Sequence, residues 1–149
     1  MKEFLGSVWD AKRDLQNCDW KITKLTSRCE RMTASWDSGP GGKGGDPHRE
    51  GPVLALMEQQ KKRRKLERVL RQRERETDEF LDQMPEQDLE LVLRMRYVEL
   101  MRWGEIRDRL EEMNFGYTER HLYNLNKKAL DAACRLWRVK KCFQKKSAS

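Results

Sequence analysis

The sequence contains no CxxC pair and only 2 histidines beside its 4 cysteines. That set does not complete a zinc pattern, so neither a structural metal nor a dithiol redox site is expected. No apolar run approaches transmembrane length. The opening stretch, MKEFLGSVWDAKRD, is charged by residue 2 and lacks the apolar core of a signal peptide. A Gly-Lys step occurs at 42–43, but no Ser or Thr follows it and no strand–loop–helix context surrounds it, which excludes a phosphate-cradling loop. No nucleophile or acid pairs visibly with His121, and the carboxylates alternate with Arg and Lys as surface helix pairs do. These lacks predict a protein that is not an enzyme, with no catalytic residue, metal or cofactor. It is expected in the cytoplasm, where Cys18 and Cys29 read as buried thiols under reducing conditions.

What is present is charge. Hydrophobic residues make up 37% of the 149 and charged ones 38%, too polar a balance for one large spherical core. Long helices with narrow apolar seams fit it better. The net charge of +7 points to a polyanionic partner, although charge carries no information about fold.

The apolar pattern is helical throughout. Val8, Ala11, Leu15, Cys18, Ile22, Leu25, Cys29, Met32 and Trp36 alternate at spacings of 3 and 4, the signature of a coiled-coil seam. Residues 37–52 then hold 6 glycines and 3 prolines, which predicts a loop. A second helix is expected over about 53–84. Its seam of Leu56, Leu66, Leu70, Phe80 and Met84 is interrupted by Arg63, Arg73 and Thr77. Within it, residues 61–75 carry 9 basic and 2 acidic side chains, either a solvated face or a nucleic-acid contact. Pro85 is well placed to be the first residue of a new helix, with Glu86 and Asp88 in its first turn. Leu89, Val92, Leu93, Tyr97, Leu100 and Met101 give that helix one apolar face. Trp103, Ile106, Leu110 and Met113 give one to the next. After the corner NFGY, Thr118 can cap a last helix in which Leu122, Leu125, Ala129, Ala133 and Leu136 face inward.

The reading is therefore all-α. A coiled-coil helical hairpin spans 1–84 with its Gly/Pro-rich loop at 37–52, a three-helix unit spans 85–138, and a basic tail spans 139–149. An intramolecular hairpin and an intermolecular coiled coil bury the same seam, so a homodimer remains open.

Charge is polarised along the chain. Residues 85–117 hold 5 basic and 8 acidic side chains, whereas 118–149 hold 9 and 2. A helix lying along phosphates requires such a surplus, because each neutralised phosphate releases counterions. With Leu122 and Leu125 turned inward, Glu119, Arg120, Tyr123, Asn124, Lys127 and Lys128 are left wholly or partly exposed. Arg pairs bidentately with guanine, Asn with adenine, and Glu accepts from cytosine N4. The same six also suit an ordinary solvated face. His121, beside Leu122, reads as partly buried or phosphate-contacting.

At LRMRYVEL (93–100), WGEI (103–106) and YTERHLYNLNKKAL (117–130) the chain resembles an uncharacterised family of phage and prophage proteins from Gram-positive bacteria. Members of that family end in a helix-turn-helix similar to region 4 of bacterial sigma factors. The resemblance covers roughly 2–133 and implies a sigma-like regulator of phage late genes. Its partners would be double-stranded DNA in the nucleoid and, through the coiled coil, host RNA polymerase. It places Glu119, Arg120 and Asn124 where base contacts are made, Tyr123 and Lys127 near the DNA, and Thr118 at the helix cap and a phosphate. Lys128, Arg135, Arg138, Lys140 and Lys141 are expected to grip further phosphates. Two departures stand out. The usual basic–acidic order is reversed at Glu119–Arg120, so no target sequence follows. The residues EEMNF (111–115) lengthen the corner, either by adding about a turn to the middle helix or by widening the bend.

Two rival functions share this pattern: a packaging or assembly component that grips DNA without promoter preference, and a helical adaptor that binds no nucleic acid.

Overall fold

The computed structural model describes residues 1–34 and 47–147, and side chains over 1–34 and 51–142. The described residues are all-helical and contain no strand. Five α-helices follow in order: α1 (Lys2–Ala34), α2 (Pro47–Leu81), α3 (Gln87–Leu93), α4 (Trp103–Glu112) and α5 (Glu119–Ser147). A π-helical turn, Arg94–Val98, continues α3. No helix among the described residues is long and apolar enough to cross a membrane.

Several boundaries differ from those expected. α2 begins at Pro47, so 47–52 of the predicted loop are helical, while 37–46 and Trp36 lie outside the described residues. Proline suits a first helical position because its missing N–H has no intrahelical partner there. Pro85 is not the first residue of α3. It precedes Glu86, whose extended backbone (φ −126°, ψ 127°) forms the N-cap. α5 continues to Ser147, so 139–147 are helix rather than tail.

The chain divides into two compact units, one of residues 1–10 with 72–149 and the other of residues 11–71. The division does not fall at 84/85, because the first residues of α1 and the last of α2 belong with the later helices. Hydrophobic packing explains this. Leu5 of α1, Phe80 and Leu81 of α2, Met84, Leu89 and Leu93, and Ala129, Ala132 and Ala133 of α5 form one buried cluster. The rings of Phe4, Phe80 and Trp137 close over it, with centroids 4.6–5.6 Å apart. Burying each large apolar side chain contributes about 1.5–3 kcal/mol. Arg94 ties α2 to α3 within this unit. Its guanidinium pairs with Asp78, with Asp82 at 2.8 Å and with Glu90 at 2.8 Å.

In the unit of 11–71, the predicted seam of α1 is its least exposed side. Ala11 and Cys18 are buried, and Leu15, Ile22, Leu25, Cys29 and Met32 are half-buried. Cys29 is thus less enclosed than expected. The Cys18 thiol donates to the Gln59 carbonyl at 3.4 Å, and Arg63 pairs with Asp19 at 2.5 Å and Glu67 at 2.5 Å. The hydrogen bond and charge of Asp19, with the charge of Glu67, raise the Arg63 pKa. Arg63 therefore interrupts the apolar seam of α2 as an ion-pair anchor to α1.

Candidate nucleic-acid interface

The site is built in the unit of 1–10 and 72–149, on a second cluster of buried side chains. Val92, Met95, Ile106, Leu110 and Leu122 form its centre, with Met101, Trp103, Phe115, Tyr117 and Leu125 packed around them. Of the residues expected on the apolar faces that flank the corner, Ile106, Leu110 and Leu122 are fully enclosed and Trp103 and Leu125 partly so. Ala129 belongs to the first cluster.

The π turn and the segment after it set the entry to α4. Glu99 N–H closes on Arg94 C=O at 3.0 Å, and Met101 N–H on Met95 C=O at 2.9 Å. Leu100 between them adopts φ 59°, so it leaves the helix instead of extending its apolar face. Arg96 donates to the Met101 carbonyl at 2.8 Å and sits 5.2 Å from the Trp103 ring centroid. The Arg102 N–H then donates to Glu105 Oε2 at 2.6 Å, satisfying an orphan donor at the start of α4.

The long corner has a specific chemistry. Glu111 and Glu112 finish α4, and Met113 is its C-cap, nearly half exposed rather than part of the buried face. Asn114 adopts φ 64°. Phe115 N–H then bonds Leu110 C=O at 2.8 Å and Asn114 N–H bonds Glu111 C=O at 3.0 Å, the paired closure of a Schellman motif. Phe115 packs onto the cluster that contains Leu110, and its ring stacks on Tyr117 at 5.7 Å. EEMNF thus widens the bend and anchors it, and adds no full turn to α4. Tyr117 bridges back toward α3, its hydroxyl donating to Asp88 Oδ2 at 3.3 Å. Burial and then the Asp88 charge raise the Tyr117 pKa.

Thr118 caps α5: its hydroxyl oxygen accepts from His121 N–H at 3.3 Å. The imidazole of His121 is exposed and stacks on Tyr117 at 4.9 Å, so of its two expected states it is not the partly buried one.

From here the geometry of α5 sorts the candidates. Leu122, Leu125, Ala129, Ala132, Ala133 and Leu136 occupy the inward face. At 100° per residue, Arg120, Asn124, Lys127, Asp131 and Arg138 share the outward face, and all five are exposed. Glu119 and Tyr123 lie at the edge toward α4. Arg107 reaches Glu119 at 3.4 Å, and the Tyr123 ring, 55% exposed, lies 5.1 Å from Trp103. Asp108 chiefly, then Glu119, raises the Arg107 pKa. Lys128 and Arg135 lie at the opposite edge, bordering a groove with Pro85, Glu86, Leu89 and Val139.

Lys140 and Lys141, expected to grip phosphates, lie beside aromatic rings. Lys140 is half-buried, with its ammonium 5.4 Å from the Phe80 ring centroid, and Lys141 lies 5.5 Å from that of Trp137. Both place their charge beside rings that close over the first cluster. Sequence reasoning missed Asp131, the acid on the outward face, and the supports Trp103–Tyr123 and Arg107–Glu119. The i,i+4 step from Lys127 to Asp131 was visible in the sequence; the two cross-helix supports leave no such periodic trace.

No family model, curated protein or solved structure matches the chain.

Proposed function

We propose that the chain is a phage-encoded, sigma-like DNA-binding transcriptional regulator, probed most directly at α5. In this reading 1–84 is an antiparallel coiled-coil hairpin, and α4 and α5 are the two helices of a helix-turn-helix. α5 enters the major groove of duplex DNA from Thr118 onward. The observation that carries the reading is the outward face of α5, where Arg120, Asn124 and Lys127 stand exposed on a helix anchored by Leu122 and Leu125. Guanidinium, carboxamide and ammonium are the groups that read base edges and phosphates. Arg120 and Asn124 discriminate bases. Tyr123, Lys127 and Glu119 tune the contact, with Glu119 released from Arg107 when it accepts from a base. Lys128, Arg135 and Arg138 hold the flanking backbone. The protein works on the bacterial nucleoid, and the hairpin serves RNA polymerase contact or homodimerisation.

Selection of duplexes from a random pool, followed by competition binding across a salt series, tests this. A regulator enriches a defined motif and prefers it over random duplex by about a thousandfold or more. Equal affinity for enriched and random duplex replaces this reading with the packaging or assembly role. No binding at low salt leaves the adaptor role.

A further inference from the structure

The two compact units differ sharply in charge. Residues 11–71 hold 15 basic and 8 acidic side chains, a surplus of 7. Residues 1–10 and 72–149 together hold 17 of each sign. The surplus of α5 is therefore cancelled within its own unit by acids such as Asp78, Asp82 and Glu90, and the whole net charge of the chain resides in the other unit.

That charge is concentrated on one side of α2. Arg63 faces α1 and is engaged by Asp19 and Glu67. Lys61, Arg64, Lys65 and Arg68 recur at helical spacing on the opposite, solvent side. All four are exposed, and none forms an ion pair with a described residue. A fully solvated row of like charges repels itself, and nothing on α2 between Lys61 and Arg68 offsets it except Glu67, which Arg63 already holds. On α1, Lys21, Lys24, Arg28 and Arg31 border a second basic depression with Trp20.

We infer that the unit of 11–71 is a second DNA-binding surface, contacting the phosphodiester backbone of a duplex through Lys61, Arg64, Lys65 and Arg68 without reading its sequence. Charge complementarity identifies the occupant: duplex DNA presents about one negative charge per 1.7 Å of axis, the density that a row of cations on a helix neutralises by counterion release. A single strand is disfavoured because the row contains no aromatic side chain on which bases stack. The exposed Trp20 of α1 has one face covered by the Lys24 ammonium at 3.9 Å. An anionic membrane surface is the competing occupant, since the exposed Met57 borders the row and the exposed Val69 follows it, and the vesicle arm of the test below decides between the two. This inference does not require α5 to read bases.

The test uses the full chain and a random-sequence duplex, comparing wild type with the quadruple variant K61Q/R64Q/K65Q/R68Q. The slope of log affinity against log salt should flatten by about 3, with affinity at least about tenfold weaker at moderate salt. The variant should retain wild-type helicity by circular dichroism, since all four side chains are exposed. A second variant, K61R/K65R, keeps the charge and should keep the slope. An unchanged slope in the folded quadruple variant overturns the inference. So does a larger loss on a single strand of equal length, on anionic phosphatidylserine vesicles or on polyglutamate than on the duplex. The R120A/N124A variant separates the two claims: it should erase sequence preference and leave most of the salt slope. If it changes nothing while the quadruple variant flattens the slope, the proposed reading by α5 fails and this inference stands.

Discussion

Asn114 shows how one residue can decide a corner. At φ 64° a side chain with a Cβ is strained, and Asn is the non-glycine residue that tolerates the position best. Asn114→Ala should therefore destabilise the fold by about 1 kcal/mol, whereas Asn114→Gly should leave it unchanged or slightly firmer. Urea denaturation midpoints measure both, and equal midpoints for the two variants contradict the account. Thr77 makes the opposite case. It is fully buried in α2, and its hydroxyl has no hydrogen-bond partner among the described residues. Replacing that hydroxyl by a methyl removes the desolvation cost of an unsatisfied group, so Thr77→Val should raise stability by about 1 kcal/mol. A lower denaturation midpoint than wild type would show that the hydroxyl is needed. The interruption at Thr77 was legible in the sequence as a polar break in the α2 seam. Its complete enclosure was not, because a polar break in an apolar seam reads the same whether it is solvated or buried.

Among the elements, α5 followed its pattern most closely. The spacing of Leu122, Leu125, Ala129, Ala133 and Leu136 correctly identified the inward face, since a 3.6-residue period leaves little choice once one side is apolar. The seam of α1 was legible for the same reason. What the pattern could not show was interruption by backbone geometry. The π turn at 94–98 and the left-handed Leu100 arise from hydrogen bonds of the wrong register, Glu99 to Arg94 and Met101 to Met95, which no apolar spacing encodes. The fate of Lys140 was equally hidden, because its packing over Phe80 joins residues 60 positions apart. Leu122 tests the element directly. Leu122→Ala should cost about 2–5 kcal/mol by opening a cavity beneath the N-terminal half of α5, and its thermal midpoint should fall accordingly. A loss under about 1 kcal/mol would mean that α5 is not anchored through that side chain.

For the whole molecule, the division of the chain matters more than its helix count. A boundary between 84 and 85 follows from proline and from the change in apolar pattern. The observed units instead assign residues 1–10 and 72–84 to the later helices, because Leu5, Phe80 and Leu81 share a cluster with Leu93 and Ala133. Long-range packing set that boundary. The same division separates a neutral unit with a structured outward face from a unit holding the entire net charge. The central claim concerns the first: that α5 reads bases with its first turns and holds phosphates farther along. Competition binding of enriched against random duplex at one salt concentration, for wild type, Asn124→Ala and Arg138→Ala, measures it. Loss of a bidentate base contact at Asn124 should lower the preference for enriched duplex by about 5- to 150-fold, or about 1–3 kcal/mol. Loss of a phosphate contact at Arg138 should weaken both duplexes alike and leave their ratio intact. Identical behaviour of the two variants, with the ratio unchanged in both, would contradict the claim that α5 divides its work in this way.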